Sequence, residues 1–233
     1  MRTPGRPTAP VVTTEQLVAA AVQLIDDEGY ATFSVRRLAA QVGVGPATVT
    51  HHLGKRADVL VAAVDAMLRE TPLLDPALAD DWRDVVRLFA TGYRETIRRH
   101  PRAATLIVDV GARSPVGLEL SIRTLTALHE GGVPVEKLLD VHTALIAFVT
   151  GFSIHESVEG LAGVVHPGLL PQLQRLPDND VKAKFTALLP ALIDAASTTK
   201  TQEAGADARF AEGLEALLAG LVETTRTTKA RRR

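Results

Sequence analysis

The stretch SVRRLAAQVGVGPATVTHHLGKR, residues 34–56, constrains this chain more than any other. Ser34 is a natural N-cap, and the short helix it opens, through about Gln41, turns Leu38 and Ala39 inward. Val42-Gly43-Val44 then makes a tight turn. A left-handed backbone is cheapest at Gly43, and Val44 is an apolar plug behind it. Gly45-Pro46 starts a second helix, with proline at the first helical position, where its missing N–H costs nothing. Val49 and Leu53 stand four residues apart on the inner face of that helix, so Thr48, Thr50, His51 and His52 point elsewhere. Two short helices joined by a glycine turn form a helix-turn-helix.

The helical period extends through the chain. Leu17, Ala20, Ala21, Leu24 and Ile25 share one face. They lie between a Thr13/Gln16 capping box and a plausible stop at Gly29. Aromatic residues make up 4%, and Val and Ile sit among Ala and Leu at helical spacing, so the chain is expected to be all-α. Residues 1–12, with three prolines, a glycine and two arginines, read as a disordered basic arm. Residues 71–80 read as a loop, 111–117 as a break and 131–134 as a turn. Residues 163–180 read as a long, partly ordered connection. A second loop, 197–207, is expected before a last amphipathic helix near 208–224. The tail RTTKARRR is a solvated basic end.

Composition bounds the function. Lys and Arg total 26 against 27 Asp and Glu, a net charge of −1, which excludes uniform basicity but not one small basic face. The chain has no cysteine, so disulfides, cysteine-bound zinc and thiol catalysis are excluded. Uninterrupted apolar runs fall far short of the ~20 residues of a membrane span. The first residues carry no apolar signal core. A cytoplasmic protein with no membrane partner is expected.

The outer side of the second short helix carries small hydroxyls and imidazoles. These suit close approach to base edges and phosphates in a major groove. Lys55 and Arg56, at the start of the next helix, are placed for phosphates, and Arg36 and Arg37 flank the other side. Residues 1–60 carry six basic and five acidic groups. Steering would therefore come from a local face and from doubling in a dimer. For Arg37 the plainer reading is a solvated surface residue. No neighbouring ligands make the two histidines a metal site.

Residues 13–60 resemble the DNA-binding domain of the TetR family of bacterial repressors. The matching string runs Glu28-Gly29-Tyr30, Ser34-Val35-Arg36-Arg37-Leu38-Ala39, Val42-Gly43-Val44, Ala47-Thr48-Val49, His52, then Lys55-Arg56 to Leu60. The remainder is similar, more loosely, to the regulatory domain of the family's tetracycline repressors. Asp81-Trp82-Arg83-Asp84, Leu125 to Val133, Phe148-Val149-Thr150-Gly151-Phe152, Arg209-Phe210-Ala211-Glu212-Gly213-Leu214 and Ala219-Gly220-Leu221 line up in order. The resemblance implies a homodimeric repressor that reads double-stranded operator DNA. Its DNA contacts would fall on Ser34, Arg36, Thr48, Thr50, His52 and Arg56, to which the residues themselves add His51 and Lys55. Thr50 and His51 replace two aromatic residues of the tetracycline repressors, and Pro46 replaces a base-reading glutamine, which implies a different operator. The implied organisation is an arm (1–12), a helix-turn-helix domain (13–60), a ligand-binding and dimerisation domain (61–224) and a basic tail (225–233).

A pocket needs apolar walls and a few polar groups. The candidates are Phe89, Tyr93, Val108, Thr124, Leu125, His129, His142, Ile146 and Val149, with Tyr93 and His142 as polar anchors; for any one of them, core packing is the plainer reading. Apolar residues occupy more than one face of the helices at 140–160 and 208–224. Phe148, Gly151, His155, Val158, Phe210, Gly213, Leu217 and Gly220 would then build a four-helix bundle about a two-fold axis. The residues alone leave this open against two central helices of one monomer core, and the resemblance favours the dimer. The family's magnesium–tetracycline site is largely erased. Its metal histidine becomes Ile107 or Val108, its drug-anchoring histidine about Pro72, its asparagine Phe89 and its glutamate His155. A different, more apolar effector is expected, with no metal and no cofactor.

An enzyme is disfavoured. Ser153 and His155 diverge on one helix, Asp109 and His100 are an unsupported pair, and no phosphate loop or nucleotide fingerprint occurs. A helix-turn-helix regulator without small-molecule input, an activator and a purely helical interaction protein stay open as alternatives.

Overall fold

The computed structural model describes residues 12–70, 81–157, 169–197 and 202–231. All regular structure among them is helical. The elements are α1 (Thr14–Glu28), α2 (Val35–Gln41), α3 (Pro46–Leu53), α4 (Arg56–Arg69), α5 (Trp82–Arg99), α6 (Ala104–Val110), α7 (Pro115–Glu130), α8 (Leu138–Ser157), α9 (Leu169–Arg175), α10 (Asp180–Ser197) and α11 (Gln202–Arg231). Short 3-10 turns at Tyr30–Thr32, Pro101–Ala103, Gly111–Arg113 and Val135–Lys137 join several of them.

Local chemistry sets the first boundaries. Thr13 Oγ1 accepts from the Gln16 amide at 3.2 Å, and Gln16 Oε1 accepts from the Thr13 amide at 2.9 Å. Gly29 ends α1 with φ +80°. Ser34 Oγ caps α2 through the Arg37 amide at 3.2 Å. Between α2 and α3, Gly43 has φ +71°, and the Val44 amide returns to Ala39 O at 3.0 Å. Pro46 is the first residue of α3. Asp81 Oδ1 caps α5, accepting from the Arg83 and Asp84 amides at 2.6 and 3.2 Å.

α4 belongs to two packing units at once. It packs on α1 and α3 on one side and on α5, α6 and α7 on the other. Its Val59, Leu60, Ala63, Val64, Met67 and Leu68 are all buried. They join Leu17, Ala21, Ile25, Leu38 and Val49 of the N-terminal helices to Phe89, Ile97, Leu106, Ile107 and Leu128 in one continuous hydrophobic core. α5 packs along α7 and α8, and α11 lies on α8. There the rings of Phe148, Phe152 and Phe210 meet at centroid distances of 5.3 to 6.0 Å. Buried Arg94 bonds Glu156 of α8 at 2.6 Å and Asp207 of α11 at 2.7 Å, and its guanidinium lies 4.6 Å above the Phe210 ring. α9 and α10 lay no broad face on the rest of the described chain. Leu170, Leu176, Val181, Leu188, Leu192 and Ile193 in this segment are exposed.

The fold departs from the expectations in two places. The connection at 163–180 holds a helix, α9, in its second half, and α11 begins at Gln202, inside the expected 197–207 loop. In both, the proline, glycine and polar content outweighed a helical pattern that the chain does adopt. The expected domain boundary at 60/61 falls within α4, because one apolar face serves both sides. Val135–Glu156 is, by length and composition, apolar enough to cross a membrane, although its uninterrupted apolar runs are short. Its helix, α8, is packed by α5, α7 and α11. The arm at 1–11, the loop at 71–80 and the last two residues of the tail lie outside the described residues.

The Gly43 turn sets the angle between α2 and α3 by backbone conformation alone, since an added Cβ would meet nothing within 4 Å. Gly43→Ala is expected to lower the unfolding free energy by ~1–2 kcal/mol, the cost of a left-handed L-residue. Gly45→Ala, where φ is −77°, is expected to be nearly neutral. Urea denaturation of the two variants checks both values.

Candidate nucleic-acid interface and ligand cavity

α3 carries one buried side chain, Val49, at its centre. Thr50, His51 and His52 are exposed on its other faces and Thr48 is half-buried. The two imidazoles meet edge to face at 5.6 Å. His52 Nδ1 lies 3.4 Å from Thr14 Oγ1, so α1 helps orient that ring. Thr50 turns its hydroxyl back to Pro46 O at 3.1 Å, which leaves its methyl outward. Arg36 and Lys55 are exposed on either side of α3. The Lys55 amide donates to Asp58 Oδ2 at 2.8 Å, fixing the start of α4. Ser34 uses its oxygen as the α2 cap.

Arg56, exposed at the start of α4, is also bonded within the chain. Its Nε donates to Phe33 O and its Nη2 to Tyr30 O, each at 3.0 Å. The guanidinium therefore clamps the Tyr30–Thr32 turn to α4 with two of its five N–H donors. Arg37 is likewise engaged, with Glu28 and Thr32 O.

A cavity of about 160 Å³ lies between α4, α5, α6, α7 and α8. Of the expected ligand residues, Phe89, Tyr93, Val108, His142 and Ile146 line it. Phe89 stacks on Tyr93 at 5.5 Å and faces His142 at 6.1 Å. The His142 Nε2 atom is buried and has no hydrogen-bond partner. Burial holds this ring below the ordinary histidine range, so it is neutral at pH 7, and burial pushes the Tyr93 phenol well above its usual range. The cavity is thus an apolar space with one uncharged, unsatisfied imidazole nitrogen beside an aromatic pair.

Four expected ligand residues lie elsewhere. Thr124 is buried and donates to Leu120 O at 2.8 Å. His129 is exposed at the end of α7, near Val133 O at 3.4 Å. Val149 is fully buried in the core, and Leu125 is half-buried away from the cavity. Leu68, Ile107, Leu120 and Ser121 line the cavity instead, with the glycines of the 111–117 break. Helical spacing alone ranks core and cavity faces alike, which is why these were missed. That break supplied the only usable signal.

The expected dimer residues divide between surface and core. Gly151, His155 and Gly220 are exposed, and Phe148 and Leu217 are half-buried. Phe210 is a core residue at 3% exposure. Gly213 is a point of close approach within the subunit, because an added Cβ would stand 2.8 Å from the Phe148 ring. Val158 lies outside the described residues. Ser153 donates to Val149 O at 2.7 Å, which ties its hydroxyl to the helix. Among the described residues no group of three or more His, Asp or Glu side chains forms a metal site.

Residues 17–63 match the family model described as bacterial regulatory proteins, tetR family, and residues 75–225 match that of the tetracyclin repressor-like C-terminal domain. An HTH-type transcriptional regulator of Saccharopolyspora erythraea is 30% identical over 65% of this chain and 64% of its own length. The chain spans 56% of a second relative, the transcriptional repressor DrrR1 of Streptomyces coeruleorubidus. The class D tetracycline repressor of Escherichia coli is 25% identical over 88% of this chain and 87% of its own. Among solved structures, Streptomyces coelicolor ActR in complex with actinorhodin superposes with a TM-score of 0.68 at 29% identity. That match covers 93% of this chain and 99% of ActR.

The Arg56 clamp has a measurable signature. Arg56→Ala is expected to cost ~1 kcal/mol of stability through two lost hydrogen bonds. Arg36→Ala, at an exposed position without such bonds, is expected to stay within ~0.5 kcal/mol of the native protein. Denaturant midpoints of the two variants separate a clamp from a solvated arginine.

Proposed function

The chain belongs to the TetR family of bacterial transcriptional regulators, and on that premise we propose that it is a cytoplasmic repressor that binds a palindromic operator as a homodimer and is released by a small, largely apolar effector. The observation that carries this reading is the continuity of α4. The helix begins beside α3, at Lys55 and Arg56, and Leu68 near its other end forms part of the cavity wall. One turn before Leu68, Asp65 Oδ1 accepts the Val116 amide at 3.0 Å, tying α4 to the first turn of α7 beside the cavity. A ligand that displaces α7 or Leu68 therefore acts on the helix that carries the reading head.

In this account, the division of labour at the DNA is Thr48, Thr50, His51 and His52 toward base edges, and Arg36, Lys55 and the Ser34 hydroxyl toward phosphates. Arg56 supports that surface from behind. A second copy supplies the other half of a palindrome and cover for apolar surface. Val108, Leu118, Ile122 and, on α10, Leu188 and Leu192 are exposed in one subunit, an arrangement that a partner's apolar faces would satisfy. One dimer state matches reading heads to successive major grooves, ~34–36 Å apart. The effector favours a different state, and a coupling of ~1–3 kcal/mol would weaken operator binding about 5–150-fold. A relative solved with actinorhodin bound supports a small-molecule input. The cavity favours an effector that brings apolar surface and one hydrogen-bonding group for His142 Nε2, with no metal.

The test is binding of the full chain to DNA upstream of its own gene, against scrambled DNA, across a salt series. Tight, sequence-dependent binding is expected, with a salt slope that counts neutralised phosphates. Thr48→Ala and His52→Ala are each expected to lose ~1–3 kcal/mol of preference for the native sequence. Equal, weak binding to both DNAs contradicts the reading at that site. An effector that raises the melting temperature of the native protein but leaves operator affinity unchanged contradicts ligand-controlled release.

A further inference from the structure

His100 ends α5 at a junction of three elements and is 6% exposed. Its Nδ1 lies 2.9 Å from Asp26 Oδ2, on α1. Its Nε2 lies 3.2 Å from Glu70 Oε2, on the residue that caps the end of α4. One imidazole thus joins the N-terminal helical unit to the last turn of α4 and to α5. The neighbouring charges are accounted for. Arg99 Nη1 donates to Glu70 O at 3.2 Å and stands 3.9 Å from Glu70 Oε2, and its Nε is held by Glu95. Arg102, on the Pro101–Ala103 turn, donates to Asp27 O, and Arg69 is engaged with Asp65 at 2.8 Å. The Asp27 side chain is the remaining carboxylate beside Asp26.

Donor counting makes this junction sensitive to protons. An ionised carboxylate only accepts, and a neutral imidazole carries a single N–H. Bonds from both ring nitrogens to two carboxylates require one proton more than a neutral ring and two carboxylates hold. Burial pushes the Asp26 carboxyl above its usual range, which helps the cluster keep that proton. The sign follows. With the extra proton present both bonds exist; as pH rises and it leaves, one ring nitrogen points a lone pair at a carboxylate and that arm of the junction is lost.

We propose that His100 is a positioning residue, a proton-dependent strut between Asp26 and Glu70 that sets the angle of the α1–α3 unit against the rest of the chain. This rests on the proposed function only in identifying α1–α3 as the DNA-reading head. As the strut fixes where α3 points, operator reading becomes tighter on the acid side and looser on the alkaline side, independently of any effector.

The test needs no DNA. The chain has no native cysteine, so Ala40→Cys on α2 and Thr126→Cys on α7, both exposed positions, take spin labels uniquely. Doubly labelled protein is diluted with unlabelled protein, so the pulsed-resonance distance lies within one subunit. At about pH 6 a narrow distribution is expected, and at about pH 9 one roughly twice as broad, as expected when a joint gains freedom. With His100→Gln the distribution is expected to be the same at both pH values. Asp26→Asn, which leaves the ring intact, is a second variant and is likewise expected to abolish the pH response. A native distribution that does not change with pH, or either variant responding as the native protein does, overturns the strut. Failure of operator binding in the DNA experiment leaves this distance measurement untouched, so the two proposals fail separately.

Discussion

The burial of one face of α4 against two sets of helices is the interaction on which the structure depends. Val59 and Leu60 close the core of the N-terminal three-helix unit, and Met67 and Leu68 reach the core of the larger unit. A three-helix unit of about 45 residues buries too little apolar surface to be strongly stable alone. Sharing α4 supplies the missing surface. The same sharing removes independence, because a change in the packing around Leu68 changes the boundary conditions of Val59.

Polar contacts give that apolar joint direction. Hydrophobic burial is non-directional, so the angle of the head must come from bonds with geometry. Arg56 fixes the Tyr30–Thr32 turn to the start of α4, Asp65 holds the first turn of α7 to its third turn, and His100 bridges its C-terminal end to α1. The three contacts are spaced along one helix. On the far side of the molecule, Arg94 with Glu156 and Asp207 does the same for α5, α8 and α11.

Much of this was legible in the sequence where the cause is local. Ser34, Gly43 and Pro46 specify the helix-turn-helix through capping, a left-handed turn and a pre-set φ, and the structure uses all three. Phe89 and Tyr93, an i, i+4 aromatic pair, and His142 and Ile146 line the cavity as their mix of apolar wall and polar tip led one to expect. What was illegible is long-range. The clamp made by Arg56 shows only once its carbonyl partners, 23 and 26 residues away in sequence, are seen. His100 looked unsupported beside Asp109 because its partners, Asp26 and Glu70, are 74 and 30 residues distant. Val149 and Ile146 have the same chemistry on the same helix, and only the packing of α8 sends one to the core and the other to the cavity. The helices at 169–175 and 202–207 were hidden by turn-forming residues.

The central claim is that the reading head and the cavity share one cooperative unit through α4. Native-state amide hydrogen exchange tests it most directly, because it measures the opening free energy of each helix in the full chain. The account predicts that core amides of α1 and α3, such as those of Leu24 and Val49, open together with the α4 amides of Ala63 and Met67. Their opening free energies should then agree within about 1 kcal/mol. If α1–α3 instead opened several kcal/mol more easily while α4 stayed protected with α5, the head would be an independent unit. α4 would then be a tether and not a transmitter.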